Sequence, residues 1–161
     1  MAIYMKLQGI HGSVTTKGYE NWVAVKEVEF GGVGFKMRNT PGNKNTRIQS
    51  PATFGDFTLI KTPDASSVPL FEKANTAQLI AQVEIQYLTS ESTPMVYTKY
   101  VLTNVLVSHY SEMNGGGRSA NLERLRLNYE TIQKTYIPIL ANNTPGSQLV
   151  SGYDLARSQK M

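Results

Sequence analysis

Lys36, Arg38, Lys44 and Arg47 fall in one stretch, FGGVGFKMRNTPGNKNTRI (residues 30–48), and no Asp or Glu occurs between Gly31 and Gly55. Cations set among Gly31, Gly32, Gly34 and Gly42 suit three kinds of chemistry. Backbone N–H groups can cradle phosphate, a basic groove can track nucleic acid, and a charged arm can dock on another protein. A Walker loop needs G-x-x-x-x-G-K-S/T, which the chain lacks. Gly32-Val33-Gly34 opens a dinucleotide fingerprint, but its third glycine would fall at Met37 and no helical pattern follows. The net charge is +4, and these cations account for all of it, so the rest of the chain sums to zero.

Little else in the sequence calls for catalysis. His11 and His109 lack the paired spacing of metal ligands, and there is no G-x-S-x-G elbow to anchor a hydrolase triad. Glu27 and Glu29 share one strand face by period 2, which reads as a solvated face. Absence of cysteine removes disulfide, thiol and zinc-finger chemistry. No catalytic, cofactor-binding or metal-ligating residue is expected, and no cofactor. No apolar window approaches a membrane span and MAIYMKLQGIHG has no signal-peptide pattern, so the expectation is a soluble chain without a cleaved signal peptide.

The elements that must hold the basic stretch are mostly strands. Ile3, Met5 and Leu7 alternate with polar neighbours, as do Val83, Ile85 and Tyr87. WVAVKEVEF and FGDFTLIKT read as further strands. VYTKYVLTNVLVSHYS is long and β-branched, with apolar residues on both parities, and predicts a central strand covered on both faces or two strands joined by a bend. In LERLRLNYETIQKTY, Leu125, Leu127 and Tyr129 share one parity and Ile132 and Tyr136 the other, which predicts a bulge or twist near Glu130. DASSVPLFEKANTAQL alone has helical spacing. Ser66 or Ser67 is its expected cap, Pro69 lies in the first turn, and Leu70, Phe71 and Ala74 form a narrow apolar stripe expected to lie on a sheet or plug a barrel end. MNGGGRSAN is a turn-rich loop with Arg118 facing solvent, and an edge strand is expected through Gln148 to Val150. The fold class is therefore mainly β, one domain over 1–161, with a barrel core of about 1–137, a tail from 138 to 161 and one short helix over about 66–78.

A connection of about residues 31–52 is long for a compact domain and points to function. Run out and back as two arms of about ten residues at roughly 3.3 Å each, its tip reaches about 30 Å. That distance is enough to touch a neighbouring subunit.

Placed together, IYMKLQGIHGSVT with GYENWVAV, FGDFTLIKTPDASSVPLFEKANTA, YVLTNVLVSHYS, LERLRLNYETIQKTY and SGYDLARSQK resemble the hemolysin-coregulated proteins (Hcp) of bacterial type VI secretion systems. The resemblance covers nearly the whole chain. It implies a two-sheet β-barrel with one helix, hexameric rings stacked into a hollow inner tube, and no enzymatic activity. Implied partners are further copies of the chain, a contractile sheath, a spike protein and effectors. The implied location is the bacterial cytoplasm before firing and the extracellular space or a target cell afterwards. In the family the loop after the second strand reaches an adjacent subunit or ring, which maps here onto Gly31 to Ala52. Lys36, Arg38, Asn39, Asn43, Lys44 and Arg47 are then the candidate oligomer-contact residues. Two departures concern the helix: Val68 separates the serines from Pro69, and Ala77 replaces the usual terminal glycine. Rival readings are a phage-like tail-tube protein and a basic β-barrel that binds single-stranded nucleic acid, with Phe30, Phe35 and Phe54 as stacking aromatics.

Overall fold

The computed structural model describes residues 1–39, 41–42, 47–117 and 121–161. Its strands are β1 (Ala2–Leu7), β2 (Val23–Val25), β3 (Glu27–Phe30), β4 (Val33–Gly34), β5 (Thr53–Phe54), β6 (Phe57–Lys61), β7 (Ile80–Leu88), β8 (Val96–Met113), β9 (Leu122–Asn128), β10 (Thr131–Tyr136), β11 (Leu149–Asp154) and β12 (Gln159–Lys160). One helix, α1 (Ser67–Thr76), joins β6 to β7. The first sheet runs β12-β11-β10-β8-β7-β1-β2, and the second runs β3-β6-β9 before joining the far half of β8. This is the expected mainly β, two-sheet architecture with one helix. Among the described residues its hydrogen-bonded ladder does not close on itself.

Inward-facing residues of both sheets form the core, with Met5, Val23, Phe57, Leu59, Val83, Ile85, Leu102, Val105, Leu125 and Leu127 buried. Their alternation with exposed neighbours is the period of a half-buried strand.

Three strand runs turn the corner between the sheets, and each does so by switching its buried parity. In WVAVKEVEF, Val23 and Val25 face the core in β2, then Val28 and Phe30 do so in β3. The break is Lys26, whose N–H donates to the Ile60 carbonyl at 2.8 Å. In β8 the buried set passes from Tyr100 and Leu102 to Val105 and Val107. Asn104 lies between them with φ 48°, a left-handed backbone that Asn tolerates better than most residues. β8 is thus one strand with a bend, half-buried throughout, and the apolar residues on both parities mark the switch. In the third run, the twist expected near Glu130 is a full break between β9 and β10. Glu130 N–H donates to Thr103 O at 3.0 Å and Asn104 Nδ2 donates to Glu130 Oε2 at 2.6 Å, tying two corners together.

Helix α1 starts at the expected place by a different device. Ser66 is the N-cap residue, yet its hydroxyl makes no cap bond and instead donates to Asp64 Oδ1. Asp64 also accepts the Ser66 N–H at 2.9 Å, and its own N–H donates to Ser67 Oγ at 2.9 Å. The helix ends at Ala77, whose φ of 51° is the left-handed conformation more often filled by glycine. Leu70 is buried and Ala74 packs on the core, but Phe71 is 55% exposed. Successive helical residues lie 100° apart, so Phe71 cannot share Leu70's face. The expected stripe therefore narrows to Leu70 and Ala74.

The tail is more ordered than its sequence suggests. β11 pairs along all of β10, from Thr131↔Asp154 to Tyr136↔Leu149, and β12 pairs with β11 in turn.

Candidate assembly surface

The basic stretch leaves the second sheet at Phe30 and returns at Phe57, and its two roots touch. A Cβ on Gly31 would stand 2.8 Å from Asp56 O, and one on Gly55 would stand 2.7 Å from the Gly31 carbonyl carbon. Glycine is required here for close approach of two backbones. Gly31 N–H donates to Asp56 O at 3.0 Å and Gly55 N–H to Gly32 O at 2.9 Å. Tyr129, on the neighbouring β9–β10 corner, braces this base by donating its hydroxyl to Gly55 O at 2.8 Å.

Beyond the base the stretch is a hydrogen-bonded hairpin, so the two-armed course read from its length is what the structure shows. β4 pairs with β5 through Val33↔Phe54 and Gly34↔Thr53. Further out, Met37 bridges Ile48, Arg38 N–H donates to Arg47 O at 2.9 Å, and Gln49 N–H donates to Lys36 O at 2.8 Å. Lys36 N–H is held by Ser50 Oγ at 2.8 Å.

This register makes the arm two-faced, because residues opposite each other in an antiparallel pair share a face and neighbours alternate. Lys36, Arg38, Arg47 and Gln49 lie on one face. Val33, Phe35, Met37 and Ile48 lie on the other, at 56%, 44%, 65% and 59% exposure. Among the described residues, none of these three cations forms an ion pair with a carboxylate. Asn39 is exposed beside them. Asn43, Lys44 and Arg118 lie outside the described residues.

Sequence reasoning found the cations and missed the apolar face. The signal was present in the alternation of Val33, Phe35 and Met37, which only a strand period makes visible. It also missed a groove of about 400 Å³ at the root of the arm, where β4 and β5 meet β8, β10 and β11. Phe30, Val33, Phe54, Tyr100, Ile132 and Tyr153 line it, and Lys134 and Lys160 stand at its edge. Phe54 packs on Tyr153 with ring centroids 4.9 Å apart, and Lys134 Nζ lies 5.6 Å from the Tyr100 ring. Val33 belongs to both features, so the groove and the apolar face of the arm are continuous.

A second unforeseen feature holds α1 in place. Lys61 and Glu123, 0% and 1% exposed, are cross-strand partners in β6 and β9 and meet at 2.5 Å. Lys61 also donates to Thr62 O at 3.0 Å and lies 3.1 Å from Asp64. Tyr110 donates to Glu123 Oε1 at 3.0 Å and to Glu112 Oε1 at 2.7 Å. Burial and then these two carboxylates push the Tyr110 phenol well above its usual range, so it stays a donor. The network anchors the turn that starts α1. His11, in the connection after β1, and His109, on β8, are both exposed.

Two β sheets around one core, a two-faced hairpin and an aromatic groove at its root define the class: a mainly β protein with an exposed arm. The family model described as type VI secretion system effector, Hcp, matches residues 4–136, and the chain belongs to that family. Its fold is also that of several solved structures. One titled as the structure of a type six secretion system protein superposes with a TM-score of 0.92 at 23% identity, covering 99% of each chain. Hcp1 from Salmonella typhimurium gives 0.78 at 19% identity over 99% of this chain and 98% of that one. The secreted protein Hcp3 from Pseudomonas aeruginosa gives 0.65 at 16% identity over 95% and 97%. At such identities the likeness speaks for the fold. Among curated proteins no sequence match is found.

Proposed function

We propose that this chain is a structural subunit of a type VI secretion inner tube, and not an enzyme. Its copies form hexameric rings that stack into a hollow tube. A contractile sheath expels the tube behind a spike protein, and effectors travel in its lumen or at its tip. The observation that carries this reading is the arm: in a chain of the Hcp family, a braced hairpin holds both cationic and apolar side chains out in solvent. Exposed apolar faces of this kind mark contact surfaces.

Lys36, Arg38, Asn39, Asn43, Lys44 and Arg47 are the residues through which one ring holds the next. Subunits that must stack and later part are better served by screened charge contacts than by a deep apolar interface. The nucleic-acid reading is the weaker one, because Phe35 alternates with Lys36 to the opposite face of the arm, away from the cations. Native mass spectrometry tests the tube reading directly, with six-membered rings as the expected species. A strictly monomeric chain at high concentration would overturn it.

A further inference from the structure

We infer that the apolar face of the arm and the groove at its root receive the solvent-facing apolar patch of helix α1 from a second copy of the chain, and that this contact closes the ring. The inference rests on the tube reading and identifies the contact within it.

Helix α1 carries apolar residues on the side away from its core. Val68 and Phe71 are 75% and 55% exposed, and their i, i+3 spacing places them together on one face. Asn75, one turn further along that face, is exposed and uncharged. Leu79, just past the helix end, is 57% exposed. A surface helix ordinarily turns charged side chains to water, so an apolar patch on its outer side calls for a second partner.

The chain leaves this patch largely exposed, with Val68 at 75% and Phe71 at 55%. Phe71 packs edge-on to Tyr110 near the C-terminal end of β8, with centroids 5.9 Å apart. The groove is built around Tyr100 on the same strand, ten residues earlier. At roughly 3.3 Å per residue the two sites stand up to about 30 Å apart. An exposed apolar patch on α1 and an apolar track along the arm and groove are the two halves of a heterologous contact, which closes into a ring when the rotation per copy divides the circle. Charge agrees with this pairing. Glu72, exposed next to Phe71, meets a groove whose edge carries Lys134 and Lys160. The cationic face of the arm points the other way and is left free for stacking.

Two double variants test the contact: Val68→Ser with Phe71→Ser on the helix, and Val33→Ser with Met37→Ser on the arm. All four residues are exposed, and circular dichroism checks that both variants fold. Native mass spectrometry of wild type should show rings, and each variant alone should be monomeric at a concentration tenfold above that at which wild type assembles. Mixed in equal amounts, the variants should form one-to-one dimers, because an intact arm then meets an intact helix once and neither chain can propagate. Rings from the helix variant, or a mixture of folded variants that stays monomeric, would overturn the contact while leaving the tube reading standing. A monomeric wild type would overturn both.

Discussion

At the scale of single residues, Lys61 and Glu123 form a buried ion pair between β6 and β9. Each continues the inward parity of its strand, Lys61 after Phe57 and Leu59, and Glu123 before Leu125 and Leu127. A charge at an inward position of two strands is visible in the sequence, but their pairing is not, because register is decided by the whole ladder. A buried pair contributes little net stability against an apolar replacement, yet breaking it leaves an unpaired charge in the core. Lys61→Met should therefore destabilise the protein by about 3–5 kcal/mol in denaturant melts, and Lys61→Met with Glu123→Leu should recover most of that loss. A double variant no more stable than the single one would show that the network matters through its other members.

Among the elements, the corners and the arm divide cleanly in how legible they were. The parity switch in LERLRLNYETIQKTY already pointed to a bulge or twist, since a strand cannot bury both sets of residues on one sheet face, and the structure makes it a full break. The same switch in β8 read as a strand covered on both sides or two strands joined by a bend, because alternation alone does not distinguish a bend from double burial. Only the left-handed Asn104 and its bond to Glu130 resolve the two. Two glycines of the arm, Gly31 and Gly55, are contact points between its roots. Gly55→Ala should cost about 1–3 kcal/mol by forcing apart the two roots, the usual cost of overpacking. Gly34→Ala, with open space around it, should be nearly neutral. Thermal melts of the two variants side by side check this, and equal Tm values would remove the close approach as a constraint.

For the whole molecule, the proposed stacking through the cationic face of the arm and the proposed ring contact through its apolar face have different sensitivities. Neutralising the cations in the Lys36→Gln, Arg38→Gln, Lys44→Gln and Arg47→Gln variant should lower the fraction of long tubes that sediments while leaving rings intact. Added salt should do the same to wild type, because the screening length falls from about 10 Å at 0.1 M to about 3 Å at 1 M. Rings joined through apolar surface should persist under both treatments. Tube yield unchanged by neutralisation would reassign stacking to other residues.

The strand and helix content, the place of the long connection and its excess of cations were all set by composition and local periodicity, which act over a few residues and are written directly in the sequence. Tertiary structure decided what those cations share the arm with. An apolar face and a groove at its root each arise from residues far apart in the chain, joined by register and by two glycines that let backbones touch. The stretch of residues 30–48 is thus basic by composition, and its described residues are amphipathic by pairing, because opposite residues acquire a common face only when two strands lie side by side.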